Sequence, residues 1–331
     1  MFKKKVLGMP LLAFIVVLIL AVLAVLGLFI GPILGSFVHN FGPSWLHVET
    51  PKPELKPGVV LYAGPIAVTN TMITAWITVI ILVVLTWLAF RKPKMVPSGV
   101  QKFMEFVYNS LLNFCTGIAG EKDGRRFFPF VATIFLFVIT NAYLGLLPFF
   151  GESLHVLNVD RALPVGAHEL IPLLRAANTD INVPLALALF AWIAIETFGI
   201  RAHGFFKYME KFINAKRLGH GLKLLFTGKA KSALGDLIFG AIDLFVGFLE
   251  LISEFIRILS FTFRLFGNMT AGEVLILIVA FLAPLVVGFA VYGLETLIGF
   301  VQALIFGGLT LVWMTTAVAA HETEEDPHKE K

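Results

Sequence analysis

The sequence predicts an all-α, polytopic integral membrane protein with about six spans, and three observations carry that prediction. Of 331 residues, 58% are hydrophobic and only 15% charged, with a mean hydropathy of +0.87. A water-soluble fold cannot bury so much apolar surface. Crossing a hydrocarbon core takes about 20 apolar residues, and six runs are of about that length or longer. The Lys and Arg residues cluster between those runs, in alternate loops.

The first run, Leu11 to Leu34, follows Lys3, Lys4 and Lys5. A secretory signal opens in the same way, but its apolar core is about 7 to 15 residues, so a retained helix is expected. Met72 to Phe90, Phe127 to Phe150, Val183 to Ile200, Leu237 to Leu282 and Leu285 to Ala320 complete the set. Between Ser98 and Ile118, Val100, Phe103, Met104, Val107, Leu111 and Phe114 recur at helical spacing beside Lys102 and Glu105. That pattern predicts an amphipathic helix lying along the cytoplasmic membrane surface.

If the spans alternate, the N-terminal lysines, the cluster Arg91, Lys92 and Lys94, the pair Arg125 and Arg126, and the basic loop from Arg201 to Lys231 share one side. That side is the cytoplasm by the positive-inside rule, and both termini lie there, including the acidic tail from His321 to Lys331. The opposite loops, His39 to Thr71 and Gly151 to Asn182, are balanced or acidic. The loop from His203 to Lys231 reads as a solvated connector near anionic lipid headgroups, with a docking surface for partner subunits as the alternative. Three regions result: residues 1–70, a first span with its outer loop; 71–320, the core; and 321–331, the tail.

Several function classes are disfavoured. The formal net charge of +4 does not point to nucleic acid, because the basic residues sit in loops rather than on a helix face interleaved with aromatics. The single cysteine, Cys115, cannot form an internal disulfide, and no spacing of the eight histidines suits zinc or haem. No metal and no cofactor is expected. A phosphate-binding G-x-x-x-x-G-K-[ST] stretch is missing, so the chain is not expected to handle nucleotides itself.

The fifth run is the informative one, because Asp243, Glu250, Glu254, Arg257, Arg264 and Glu273 interrupt it. At about 1.5 Å per residue it would be a helix of roughly 69 Å, more than twice a hydrocarbon thickness of about 30 Å. No proline interrupts it before Pro284, so a long tilted helix is expected, turning at Pro284 into a partner that ends near Ala320. The two form an antiparallel hairpin in the membrane. At about 100° per residue, Ser260, Arg264 and Asn268 share a stripe, with Arg257 and Glu250 one and two heptads earlier. Glu273 falls about 180° from Arg264, against a simple intrahelical salt bridge. On the last run, Glu295 and Gln302 share a stripe.

For Glu254 and Arg257 an ion pair that fixes packing is as good a reading as a functional one. Arg264 is different. Intramembrane ionisable residues mark ion pathways, and Gly267, Ala271 and Gly272 permit close approach of another helix. An arginine stays charged, so its role would be to attract a carboxylate that arrives and leaves.

The run Arg264-Leu265-Phe266-Gly267-Asn268-Met269, continued by Ala271-Gly272-Glu273, resembles the signature of subunit a of F-type ATP synthases. Pro97, Gln101 and Glu105, then Phe127-Phe128-Pro129-Phe130-Val131, Gly145-Leu146-Leu147-Pro148, Asp180-Ile181-Asn182 and Gln302-Ala303-Leu304-Ile305-Phe306 follow the family's order. The resemblance covers roughly Ala75 to Ala320. It implies a proton path of two offset aqueous half-channels beside a ring of subunit c hairpins, each bearing one carboxylate, with the terminal helix hairpin facing that ring.

On this resemblance Arg264 matches the essential arginine, which draws the ring carboxylate into its charged form and blocks a direct leak. Gln302 would position Arg264. Asn268, Glu273 and Glu295 would line the outer half-channel, with Asp180 and Asn182 at its mouth, while Glu250 would serve the cytoplasmic exit. Ser260, Gly267 and Gly272 would support the site. The implied partners are the subunit c ring, the peripheral-stalk subunit b, the other ATP synthase subunits and membrane lipid, in the inner (plasma) membrane of a bacterium. The first span is an addition to the common five-helix plan, the loop after Ile200 is longer than usual, and Asn141 stands one position from the family's typical asparagine, so it is not counted with the channel residues.

Two rival classes compete with this reading. A secondary proton-coupled transporter would carry internal repeats and broken helices in both halves, and an intramembrane hydrolase would need a nucleophile and base or paired metal ligands within the spans. Neither pattern is present in the sequence.

Overall fold

The computed structural model describes residues 5–6, 9–30, 56–147, 155–160, 170–212, 219–220, 230–282 and 286–319. Seven helices carry the fold there: α1 (Leu11–Ile30), α2 (Asn70–Phe90), α3 (Val100–Gly145), α4 (Asn182–His203), the short α5 (Phe205–Met209), α6 (Ala230–Leu282) and α7 (Val286–Ala319). The protein is all-α and multi-pass. Five helices are long and apolar enough to cross a membrane, within α2, α3, α4, α6 and α7, and α1 adds 20 helical residues. The expected turn at Pro284, the tail from His321 and the loop segments 31–55 and 213–218 lie outside the described residues.

Helix lengths follow from the lack of interruption. In lipid every backbone N–H and C=O must be paired within the segment, and a run without proline can satisfy them indefinitely. Hence α6 continues for 53 residues and α7 for 34. The surface helix and the third span, expected as separate elements, are continuous in α3 apart from one kink. It falls at Gly120, whose φ of 77° and ψ of 168° are non-helical and suit a residue without a side chain. The start of α2 is capped by Thr69, whose Oγ1 accepts from the Met72 N–H at 3.3 Å, satisfying one of the donors a helix leaves open. Arg201 and His203 occupy the last turn of α4, where the helix dipole favours cations.

The chain divides into two compact units. The first comprises Met1–Trp76, Ile139–Asp180 and Phe266–Gln302. It contains what the sequence did not announce, short ribbons outside the long helices. β1 (Lys5–Val6) pairs with β2 (Met9–Pro10). β3 (Val59–Ala63) runs antiparallel to β4 (Ile66–Thr69), with Ala63 opposite Ile66 and Tyr62 opposite Ala67, and β5 (His155–Leu157) pairs with β6 (Leu170–Pro172). The Val159 N–H bonds the Val59 carbonyl at 2.9 Å, and Asn70 Nδ2 donates to the Pro172 carbonyl at 2.9 Å. Strand pairing answers the need to satisfy backbone polar groups in segments too short and interrupted for a helix.

The second unit comprises Ile77–Val138, Ile181–Leu265 and Ala303–Lys331. Its core joins Cys115, Phe127 and Val131 of α3, Ala194, Ile195 and Phe198 of α4, and Leu311 and Met314 of α7. Phe198 receives the edges of Phe127 at 5.0 Å and Phe130 at 5.2 Å between ring centroids, the T-shaped geometry that aromatic quadrupoles favour. The Phe-Phe-Pro-Phe-Val segment is therefore a packing device.

Candidate functional site

In the second unit, α6 carries Glu250, Glu254, Arg257, Ser260 and Arg264. Arg257 Nη1 donates to Glu254 Oε2 at 2.6 Å, and its guanidinium carbon lies 3.8 Å from the centroid of the Trp313 ring. Lys211 Nζ reaches Glu250 at 2.7 Å and Glu254 at 3.2 Å. The packing reading of Glu254 and Arg257 is thus realised as an ion pair, and Glu250 stands in a shared cation bridge. Ser260 is exposed, and Asn182 opens α4 with its side chain exposed.

Arg264 is half-buried. Among the described residues it makes no hydrogen bond and no ion pair, in contrast to Arg257 two turns earlier. Both sit in one long apolar helix, but only one is neutralised by a neighbour.

In the first unit α6 and α7 meet with residue numbers running in opposite directions, as in an antiparallel pair. Asn268 Nδ2 donates to Gln302 Oε1 at 2.6 Å. One turn on, the Glu295 carboxyl lies directly over Gly272, where any Cβ would collide with it. Glu295 is buried, and its Oε2 has no hydrogen-bond partner among the described residues. Gly272 is what admits this carboxyl against the α6 backbone. On the open side, Gly267 and Ala271 line an apolar groove of about 480 Å³ together with Thr270 and Val274.

Glu273 has a partner that sequence reasoning missed. Arg175 Nε donates to Glu273 Oε1 at 3.0 Å and Oε2 at 3.2 Å, and Nη2 donates to Oε2 at 3.0 Å. Arg175 Nη1 is tied to the Lys56 carbonyl at 3.1 Å. The arginine side chain is 4% exposed and the glutamate 34%. The planar fork of an arginine matches a carboxylate in this way. A basic residue in an outer loop that is otherwise balanced or acidic was the available signal. Asp180, buried at the C-terminal edge of the Ala177–Thr179 turn, accepts from Thr71 Oγ1 at 2.9 Å. Asn141, excluded from the channel set, is buried and accepts from the Asn178 N–H at 3.4 Å.

The loop expected to be a solvated connector begins differently. α5 and the following turn fold onto the second unit: Tyr208 is buried, His203 Nε2 lies 3.0 Å from the Ala317 carbonyl, and Lys211 joins the carboxylates of α6. Its apolar punctuation, Phe205, Phe206 and Tyr208, was the signal.

Residues 72–315 match the protein family described as ATP synthase A chain. The chain belongs to that family. Members of the ATP synthase A chain family with curated names align over most of its length. "ATP synthase subunit a" of Gloeobacter violaceus is 32% identical over 78% of this chain and 88% of its own. "ATP synthase subunit a 1" of Pelobacter propionicus is 31% identical over 81% and 94%, and "ATP synthase subunit a" of Helicobacter hepaticus is 30% identical over 79% and 96%. The stretch matched to the ATP synthase A chain family contains the whole run from Arg264 to Glu273, together with Glu295 and Gln302.

Proposed function

We propose that this chain is the ion-translocating subunit of an ATP synthase membrane sector, carrying protons past a ring of subunit c through two half-paths. Membership of the ATP synthase A chain family supports the membrane-sector role. The observation that carries the finer reading is Arg264, a half-buried cation in a 53-residue helix without a counter-ion among the described residues. A guanidinium left unneutralised in that setting is costly, and its electrostatic demand is met by a carboxylate from outside the chain.

A ring carboxylate arriving beside Arg264 is stabilised in its charged form, since a nearby cation lowers a carboxyl pKa. It gives up its proton there and cannot pass Arg264 still carrying it. Asn268, four residues after the arginine, is bonded to Gln302 in a polar rung, and Glu295, Glu273, Asp180 and Asn182 make up the outer half-path. Glu250 belongs to the cytoplasmic exit. The apolar groove past Gly267 and Ala271, flanked by Phe266, Leu275 and Ile278, offers an apolar surface for a ring helix. Each proton gains about 2.3 kcal/mol per 100 mV, delivered as rotation, and the chain makes no ATP itself. Subunit b and the remaining subunits hold it as stator in a bacterial plasma membrane.

The test is purification of the complex through a tag on this chain, followed by reconstitution in vesicles. A proteolipid ring should copurify, and ATP hydrolysis should acidify the vesicle lumen. Absence of a ring from an otherwise intact preparation, with transport of a small solute instead, would favour a secondary transporter and overturn the proposal.

A further inference from the structure

Glu196 is an acidic residue in the apolar helix α4 to which neither the signature run nor the half-path set gives a role. Its Oε1 is buried with no hydrogen-bond partner among the described residues. Tyr208 packs its ring and hydroxyl against Gly199, one turn along α4, which brings the hydroxyl to the Glu196 carboxylate. Burial, followed by the charge of Glu196, pushes the Tyr208 phenol above its ordinary value, so that it remains a donor. Three further charged groups lie within electrostatic reach of Glu196: Glu254, Lys211 and Arg257.

These groups form one cluster on four elements. α4 contributes Glu196 and, stacked on Tyr208 at 6.4 Å between ring centroids, His203. Tyr208 and Lys211 come from α5 and its following turn. Glu250, Glu254 and Arg257 come from α6, and α7 supplies Trp313 under the Arg257 guanidinium. Lys211 is shared by Glu250 and Glu254, and Arg257 is committed to Glu254. Three carboxylates therefore face two cations, and the carboxylate left without a direct cation is Glu196.

We propose that Glu196 is a second proton-carrying carboxylate of the cytoplasmic half-path, held by Tyr208 and working with Glu250 across the Lys211 and Arg257 bridge. The inference rests on the ion-translocating reading and adds a residue to it. A proton released from the ring enters the cluster and binds Glu196. The cluster then passes from a net charge of −1 to neutral, and the same proton leaves to cytoplasmic water, restoring the carboxylate. In ATP-driven pumping the order reverses. Glu254, saturated by two cations, takes no part in the exchange and keeps the other groups in place.

Glu196→Gln is the decisive variant, because it keeps the side-chain volume and an acceptor for Tyr208 but cannot carry a proton. The whole complex is prepared in vesicles, the ATP-hydrolysing sector is stripped, and passive proton conduction is measured under an imposed potassium diffusion potential. Glu196→Asp, Glu250→Gln and Arg264→Ala are run beside it, with the copurified ring as the assembly readout. Glu196→Gln should assemble and conduct about a hundred-fold more slowly, the low end for the loss of a positioned acid–base group, and Glu196→Asp should keep most of the conduction. Parental conduction in the Gln variant overturns the inference. So does failure of that variant to assemble, since the charge would then serve folding. If Glu250→Gln slows conduction and Glu196→Gln does not, only this inference falls. If both are silent and Arg264→Ala, assayed in the same vesicles before stripping, still makes ATP under the imposed potential, the half-path reading itself falls.

Discussion

Arg175 grips Glu273 with Nε and Nη2 while its Nη1 holds the Lys56 carbonyl, so one buried guanidinium ties α6 to the segments that precede α2 and α4. The partners stand 98 residues apart in the chain. The grip fixes the Glu273 carboxylate in one place and orders the loop that carries Asp180.

Arg175→Ala should therefore weaken the assembled complex. Leaving Glu273 without its cation costs about 3 kcal/mol, the low end for a broken buried pair. ATP-driven proton uptake should decline and should be lost at a lower temperature than in the parent. Arg175→Lys should recover only part, because an ammonium cannot reproduce the two-pronged contact. Heat-inactivation curves of pumping by reconstituted complex check this, and an Ala variant as durable as the parent would count against it.

Gly272→Ala should displace Glu295, because the added methyl group occupies the carboxyl's position. Overpacking of this kind costs about 1–3 kcal/mol, and pumping should slow. The penalty should largely disappear when Glu295 is shortened to Ala in the same chain. A double-mutant cycle on pumping rate measures the coupling. Additive effects would show that the two residues do not act on each other.

Single replacement of Glu273 or Glu295 by an apolar residue should slow proton entry without opening a leak, since each belongs to the proposed outer half-path. ATP-driven pumping and passive proton permeability, measured on the same vesicles, separate the two effects. Unchanged pumping in both single variants and in the double variant would remove these residues from the path.

Arg264→Ala should abolish ion-driven ATP synthesis while the complex still assembles, because among the described residues the guanidinium makes no hydrogen bond and no ion pair. Without the cation a ring carboxylate can pass still protonated, so passive proton leak should persist or rise. Arg264→Lys should rescue poorly, because an ammonium lacks the planar fork and gives up its proton more readily when desolvated. Synthesis and permeability are measured together in reconstituted vesicles, and near-normal synthesis by the Ala variant would reduce Arg264 to a packing residue.

In the assembled membrane sector α6 and α7 should lie steeply tilted. At about 1.5 Å per residue they are roughly 80 Å and 51 Å long, against a hydrocarbon core of about 30 Å. An electron-microscopy map placing both within about 20° of the membrane normal, an ordinary tilt, would contradict this.

Much of this was legible in the chain. Charge is conspicuous in lipid, so Arg257, Arg264 and Glu273 stood out of α6 on composition alone, and helical periodicity placed Glu273 opposite Arg264 before any partner was known. The shared stripe of Glu295 and Gln302 was readable for the same reason. The contacts to Gly272 and Asn268 were not. Gly272 was recognised as a small residue that permits close approach, but what approaches it is a carboxyl from α7, and only packing selects that. Lys211, Tyr208 and Arg175 are not legible as site residues because they lie between the long apolar runs, where a basic or aromatic residue is ordinary.

The sequence by itself determined the solvent, where the long apolar runs lie, the family, and which helix carries the charges within its apolar run, because each depends on local composition or on a period of 3.6 residues. It could not determine the short ribbons or the kink at Gly120, which arise where backbone groups must find partners outside a helix. It could not separate Arg257 from Arg264 either. Both are arginines in one apolar helix, and only the folded chain brings Glu254 and Trp313 to the first and leaves the second without a counter-ion among the described residues. Charge pairing is decided by side chains far apart in the chain, so the difference between a structural arginine and one free to act belongs to the tertiary structure.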